Sequence, residues 1–143
     1  MAFIKIYIHL VFSTKNRDSF LNTFDIPLKV RKHIKEYAIE KGIFLDMING
    51  YSDHCHCLIS LGSDQNIEKI VQLLKGESSH WINKNKLTLG KFSWQDEYFA
   101  VSLSESMVES VRNYIKNQEK HHQKKALERN IRNLLKDIIL NTK

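Results

Sequence analysis

The sequence predicts an α+β fold, a ferredoxin-like or RRM-like antiparallel sheet with helices on one face and further helices at the C-terminus. Three observations carry that expectation. Apolar residues switch between a period of two and a helical period in the order strand, helix, strand, strand, helix, strand. The two middle strands are separated only by the turn-forming Ser52-Asp53, as in a hairpin. With Pro27 the only proline, glycine scarce and no Ser/Gly-rich tract, nothing divides the 143 residues, so residues 1–143 read as a single domain. This order matches the split strand–helix–strand plan.

Each element has its own warrant. From residue 3 to 14, Ile4, Ile6, Ile8, Leu10 and Phe12 alternate, which marks a half-buried strand. Lys15-Asn16-Arg17-Asp18 follows as a polar loop. Asp25 is placed to cap a helix with Pro27 in its first turn and Gly42 at its end, and Val30, Ile34, Tyr37 and Ala38 form its apolar stripe. Residues 43–51 and 54–61 read as the hairpin strands. Asn66 can cap a helix carrying Ile67, Ile70, Val71 and Leu74, continuing past Gly76 to Trp81 and Ile82. After a loop with Gly90 and Trp94, residues 98–103 read as the fourth strand. Ser104 or Ser106 then opens a helix with Val108, Val111, Tyr114 and Ile115. A last amphipathic stretch carries Leu127, Ile131, Leu134, Leu135 and Ile138.

Composition narrows the function classes. There is no charged-then-apolar leader and no apolar run of spanning length, so a cytoplasmic protein without a membrane role is expected. Twenty-two Lys and Arg against 16 Asp and Glu leave a net charge of +6, which suits a polyanionic partner or a solvated surface. Cys55 and Cys57 stand two apart, too close for a structural disulfide, and read as reduced thiols.

Two segments could carry chemistry. In Asp53-His54-Cys55-His56-Cys57, strand alternation sends the two histidines one way and the two cysteines the other, which excludes a zinc cluster of all four. His54 and His56 then fit either two ligands of an open metal site or two histidines on a solvated strand face. In Arg112-Asn113-Tyr114-Ile115-Lys116-Asn117-Gln118, Tyr114 and Gln118 lie one helical turn apart. A phenol beside an amide oxygen suits covalent phosphodiester cleavage, and equally suits a core tyrosine beside a surface glutamine.

Taken together, these segments resemble the single-tyrosine HUH transposases of bacterial insertion sequences, short enzymes that act on single-stranded DNA. His54-Cys55-His56 corresponds to the family's two histidines around a bulky apolar residue, and Tyr114 with Gln118 to its tyrosine and glutamine. The run from Ile8 to Arg17, Leu74-Lys75-Gly76 with Ser78-Ser79, and Trp94-Gln95-Asp96-Glu97-Tyr98 also look like family segments. The resemblance spans a core of residues 3–122, which leaves 123–143 as a C-terminal helical extension. Cys55 is smaller than the usual aliphatic residue, and Glu97 stands where many relatives carry glycine.

The resemblance implies a metal-dependent transposase that nicks and transfers DNA through a 5′-phosphotyrosine, releasing a free 3′-hydroxyl. It implies Tyr114 as the nucleophile and His54, His56 and Gln118 as ligands of one divalent ion per active site, Mg²⁺ or Mn²⁺. It implies hairpins at the element's ends as the DNA partner and a homodimer with a shared sheet, often with the His pair of one subunit serving the tyrosine helix of the other. Lys15, Arg17, Lys75, Lys116, Lys120, His121 and His122 are candidate DNA contacts. The alternatives are a non-catalytic or domesticated single-stranded nucleic-acid-binding module that recognises repeat hairpins, and a zinc hydrolase.

Overall fold

The computed structural model of the chain describes residues 3–15, 25–50, 53–120, 132, 133 and 135. The elements are β1 (Ile6–Thr14), α1 (Asp25–Glu40), β2 (Phe44–Gly50), β3 (His54–Leu61), α2 (Ile67–Lys84), β4 (Trp94–Leu103) and α3 (Glu105–Lys116). A 3₁₀ turn, Asn117–Lys120, follows α3. The strands form one sheet in the order β2-β3-β1-β4, with every neighbouring pair antiparallel. The connections through α1 and α2 each skip one strand, which is the ferredoxin-like plan expected from the sequence.

Both faces of the sheet are covered. Val30, Ile34 and Ala38 of α1 and Ile70, Val71, Leu74 and Ile82 of α2 pack on Leu10, Phe12, Leu45, Cys55, Cys57 and Ile59. The opposite face receives α3, whose Val108, Val111 and Ile115 pack on Leu58 with Tyr7, Met47 and Leu103 around them. The first strand is therefore not half-buried, as its period of two suggests. It lies between β3 and β4, and His9 and Val11 on its second face are as enclosed as Leu10 and Phe12 on its first. Ile4 and Ile6, which extend the alternating pattern, are instead exposed at the sheet's end.

Helix ends follow the local chemistry. At the end of α1, Gly42 takes φ +71, and the Gly42 and Ile43 amides donate back to the carbonyls of Ile39 and Ala38 (3.2 and 2.8 Å). This paired closure needs a left-handed residue, which glycine supplies without steric cost. Asn66 Oδ1 accepts the Lys69 amide (3.2 Å) and caps α2, which runs unbroken past Gly76. Ser104 occupies the N-cap position of α3 without a side-chain capping bond.

The fourth strand begins at Trp94, four residues before the expected Tyr98. The Trp94 ring meets Phe12 and Phe92 edge-on (centroids 4.7 and 4.8 Å), and its Nε1 donates to the buried Ser78 Oγ (2.9 Å). This anchor fixes the strand start, while the polar Gln95-Asp96-Glu97 run hides it from a periodicity reading. An edge strand tolerates such polar residues because part of it faces water. Of the C-terminal stretch, only 132, 133 and 135 are described, in helical conformation. Leu127, Ile131, Leu134 and Ile138 lie outside the described residues.

Gly50 closes the β2–β3 hairpin at very short range: a Cβ placed on it would sit 2.3 Å from the His54 carbonyl oxygen. Because that neighbour is backbone, Gly50→Ala is expected to displace the start of β3 and cost about 1–3 kcal/mol, read as a lower urea midpoint. Unchanged stability would mean that the two strands approach less closely than this geometry has it.

Candidate active site

The site lies on the α3 face, and the pleat of β3 builds its floor. Cys55 and Cys57 enter the α1/α2 core as free thiols, so His54, His56 and Leu58 must face α3. His54 pairs across from Ser13, and His56 lies between Val11 on β1 and Asn49 on β2. Neither histidine is solvated: His54 is 3% exposed and His56 0%.

Three kinds of contact hold α3 over this floor. The first is its apolar stripe of Val108, Val111 and Ile115. The second is Arg112, whose Nε and Nη2 both donate to Asp46 Oδ2 on β2 (3.0 and 2.8 Å). The third is the buried Asn49, whose Nδ2 donates to the carbonyls of Ile115 and Lys116 (3.0 and 3.3 Å) while Gly50 N donates to its Oδ1 (2.9 Å). Asn49 thus satisfies carbonyls that every helix leaves open at its C-terminus.

These contacts bring the Tyr114 ring to 5.7 Å from His56 and 6.4 Å from His9, edge-on to both. The α-helix stops at Lys116, so Gln118 sits in the following 3₁₀ turn rather than on the helix itself. The turn still brings it back toward Tyr114, where its Nε2 donates to the Tyr114 carbonyl (3.2 Å) and its side chain is fully buried. His56, Tyr114 and Gln118 therefore lie near one another within this chain, with His54 beside His56. Asp46 and Asn49 of β2 hold α3 in this position.

Two further residues orient the histidines, and the sequence reading assigned a role to neither. His54 Nδ1 donates to Asp53 Oδ1 (2.7 Å), which puts its proton on Nδ1 and its lone pair on Nε2. His9 Nε2 and His56 Nδ1 share a hydrogen bond of 2.9 Å, with the rings stacked at 5.2 Å. Such outer partners set the tautomer and direction of ligating histidines. The signals were present: an aspartate directly before the pair, and an ionisable residue inside the apolar run Ile8-His9-Leu10.

Burial sets the protonation states. It lowers His9 to about 4 and, with the charges of His54 and His9, takes His56 well below the ordinary imidazole range. Both rings are neutral near pH 7, the form that coordinates metals. Burial also raises the Tyr114 phenol, with the Gln118 side chain partly opposing it, so the hydroxyl keeps its proton. His56 Nε2, Tyr114 Oη and Gln118 Oε1 are buried without a hydrogen-bond partner among the described residues. Each such group costs about 1–3 kcal/mol unless something binds it.

Among the described residues, no group of three His, Cys, Asp or Glu side chains is arranged to hold a metal. A site here has to use the two imidazoles and the Gln118 carboxamide and leave its other positions open. The orphaned His56 Nε2 and Gln118 Oε1 fit that requirement.

Of the candidate DNA contacts, Lys15 and Lys116 are exposed. Lys75 is engaged: its Nζ donates to the carbonyls of Gln95 and Asp96, and burial lowers its pKa. Arg17, His121 and His122 lie outside the described residues, as does the side chain of Lys120. No described helix is long and apolar enough to cross a membrane.

The model of the family described as IS200-like transposases matches residues 2–118. The chain belongs to that family. Its members are transposases, which places the protein in DNA transposition. Two solved structures share the fold: a candidate transposase from Deinococcus radiodurans R1 (22% identity, TM-score 0.63, covering 82% of this chain and 93% of that one) and a REP-associated tyrosine transposase bound to a REP hairpin (17%, 0.64, 85% and 72%). No curated protein matches the chain by sequence.

The depressed histidines have a consequence for stability. Below pH 6.5 the unfolded chain protonates its His9 imidazole, while the folded chain does so only near pH 4. Stability is therefore full above that window and falls as pH drops through it, by on the order of 3 kcal/mol from His9 alone. Urea unfolding in a chelator-containing buffer at about pH 7.5 and about pH 4.5 measures this. His9→Phe is expected to shrink the difference, with the His56 contribution remaining, and an equally steep loss in that variant would exclude His9 as a source.

Proposed function

We propose that the protein cleaves and rejoins single-stranded DNA at insertion-sequence ends through a covalent bond to Tyr114. The observation that carries this reading is the cluster of buried, unpartnered polar atoms His56 Nε2, Tyr114 Oη and Gln118 Oε1. A folded core has no use for three such atoms beside one another, whereas a phosphodiester and a cation would satisfy them. Membership of a transposase family supplies the reaction class.

In this reading His54, His56 and Gln118 hold one divalent ion, magnesium or manganese. When bound, the ion supplies positive charge that offsets the charge on the phosphate oxygens and favours the ionised phenol. Asp53 keeps the His54 lone pair on Nε2. His56 presents its Nε2 lone pair when its Nδ1 donates to His9 Nε2. Asn49 and Arg112 hold α3 against β2, so the Tyr114 phenol cannot swing away from the histidines. Tyr114 Oη gives up its proton to solvent as it attacks phosphorus, the bond to the 3′-oxygen breaks, and that oxygen takes up a proton to become a 3′-hydroxyl. The 5′-phosphotyrosine retains the phosphodiester energy, and a second 3′-hydroxyl reverses the step to join strands.

The substrate we infer is single-stranded DNA carrying hairpins at the element's ends. The REP-associated relative is bound to a REP hairpin, and the net charge of +6 favours such a polyanion. A homodimer is the expected assembly, each subunit contributing a complete site because α3 docks on its own sheet.

The test incubates the protein with Mn²⁺ or Mg²⁺ and single-stranded oligonucleotides copied from both flanks of its gene, and reads covalent adducts on denaturing gels. The wild type should form an adduct, and Tyr114→Phe should form none. An adduct persisting in Tyr114→Phe would exclude the nucleophile. His56→Ala is expected to lower cleavage more than about 100-fold with hairpin binding retained, and Asp53→Ala or His9→Ala by about 10–100-fold. Tight hairpin binding by the wild type without any adduct would favour a non-catalytic binding module.

A further inference from the structure

Gly76 has no structural duty in α2. A glycine in a helix interior costs about 1 kcal/mol relative to alanine. Its φ is not positive, and a Cβ placed on it would meet nothing within 4 Å. What the missing side chain leaves open is a cavity of about 460 Å³ between α2 and the start of β4, a size typical of small-ligand sites. The cavity lies across the sheet from Tyr114. Trp94, which lines it, belongs to the α1/α2 core, and Tyr98 pairs with Phe12 of that same core.

Its lining is specific in chemistry. Tyr98 offers an aromatic ring that is 38% exposed. Lys75 holds one side of that ring, its Nζ 5.8 Å from the centroid and tied to the Gln95 and Asp96 carbonyls. The ammonium is thus committed to positioning rather than free to seek a phosphate. Glu68 and Asp96 also line the space. Carboxylates repel phosphate but accept hydrogen bonds from base amino groups, and an exposed aromatic ring stacks on unpaired bases.

We propose that this cavity takes one unpaired nucleobase bearing an exocyclic amino group, stacked on Tyr98 and hydrogen-bonded to Glu68 or Asp96, with the Gly76 backbone as its close wall. The inference rests on the reading of the protein as a binder of single-stranded DNA. The cavity lies beside the start of β4, the last strand of this chain's sheet.

The test is fluorescence anisotropy with the full chain and labelled short homopolymers of deoxycytidylate, deoxyadenylate and thymidylate. The wild type should bind the cytosine or adenine polymer at least about fivefold more tightly than the thymine polymer. Gly76→Leu, which fills the cavity, should bring the three within about twofold at unchanged thymine affinity, and Asp96→Asn should shrink the preference without altering shape. Urea unfolding reports whether Gly76→Leu folds, and Asp96→Asn decides if it does not. Equal binding of all three by the wild type, or a preference that survives in the folded variants, overturns the base pocket while DNA binding stands. Failure to bind any of the polymers also overturns the base pocket, and binding of the hairpin-bearing flank oligonucleotides then decides the DNA reading separately.

Discussion

β3 is buried on both faces, and its pleat sends Cys55, Cys57 and Ile59 into one and His54, His56 and Leu58 into the other. Every later feature depends on that division. The small thiols let α1 and α2 close over their side, and the histidines make the other side polar where an apolar strand would be ordinary. A one-residue slip in register would exchange the two sets, burying imidazoles in the main core and turning cysteines toward Tyr114. Ladders on both sides of β3, and the close approach at Gly50, oppose that slip.

A polar face under a helix has to be managed group by group. Asn49 finds the open carbonyls at the end of α3, Asp53 accepts a hydrogen bond from His54, and His9 pairs with His56. Among the described residues, His9 Nδ1, His56 Nε2, Tyr114 Oη and Gln118 Oε1 are buried without a hydrogen-bond partner. Natural interiors seldom leave such groups alone, so their concentration in one place separates a binding site from a merely polar core. The neutral state of His9 and His56, enforced by burial, belongs to the same arrangement.

The sheet also separates the two proposed sites in space. The proposed chemistry lies on the α3 face, while the cavity beside Gly76 lies on the α2 face. Trp94 fixes where that strand begins, through Phe12, Phe92 and Ser78. It therefore connects the main core to the cavity, and Lys75 extends the connection to Tyr98.

By itself the sequence determined the element order, the sidedness of the His and Cys pairs, the cap at Asn66 and the helix end at Gly42. These are local consequences of a period of two, a period of 3.6 and single-residue backbone preferences. The same residues, with Tyr114 and Gln118, carried the resemblance to the family. Tertiary structure alone decided that α3 crosses to the second face, which buries His9 and Val11 and removes the half-buried character of β1. It decided that Gln118 reaches Tyr114 from a 3₁₀ turn. It also revealed Asp53 and His9 as partners of the histidines, because a hydrogen bond between residues 47 positions apart is a product of strand register. Periodicity describes which way a side chain points, whereas packing decides what it meets there.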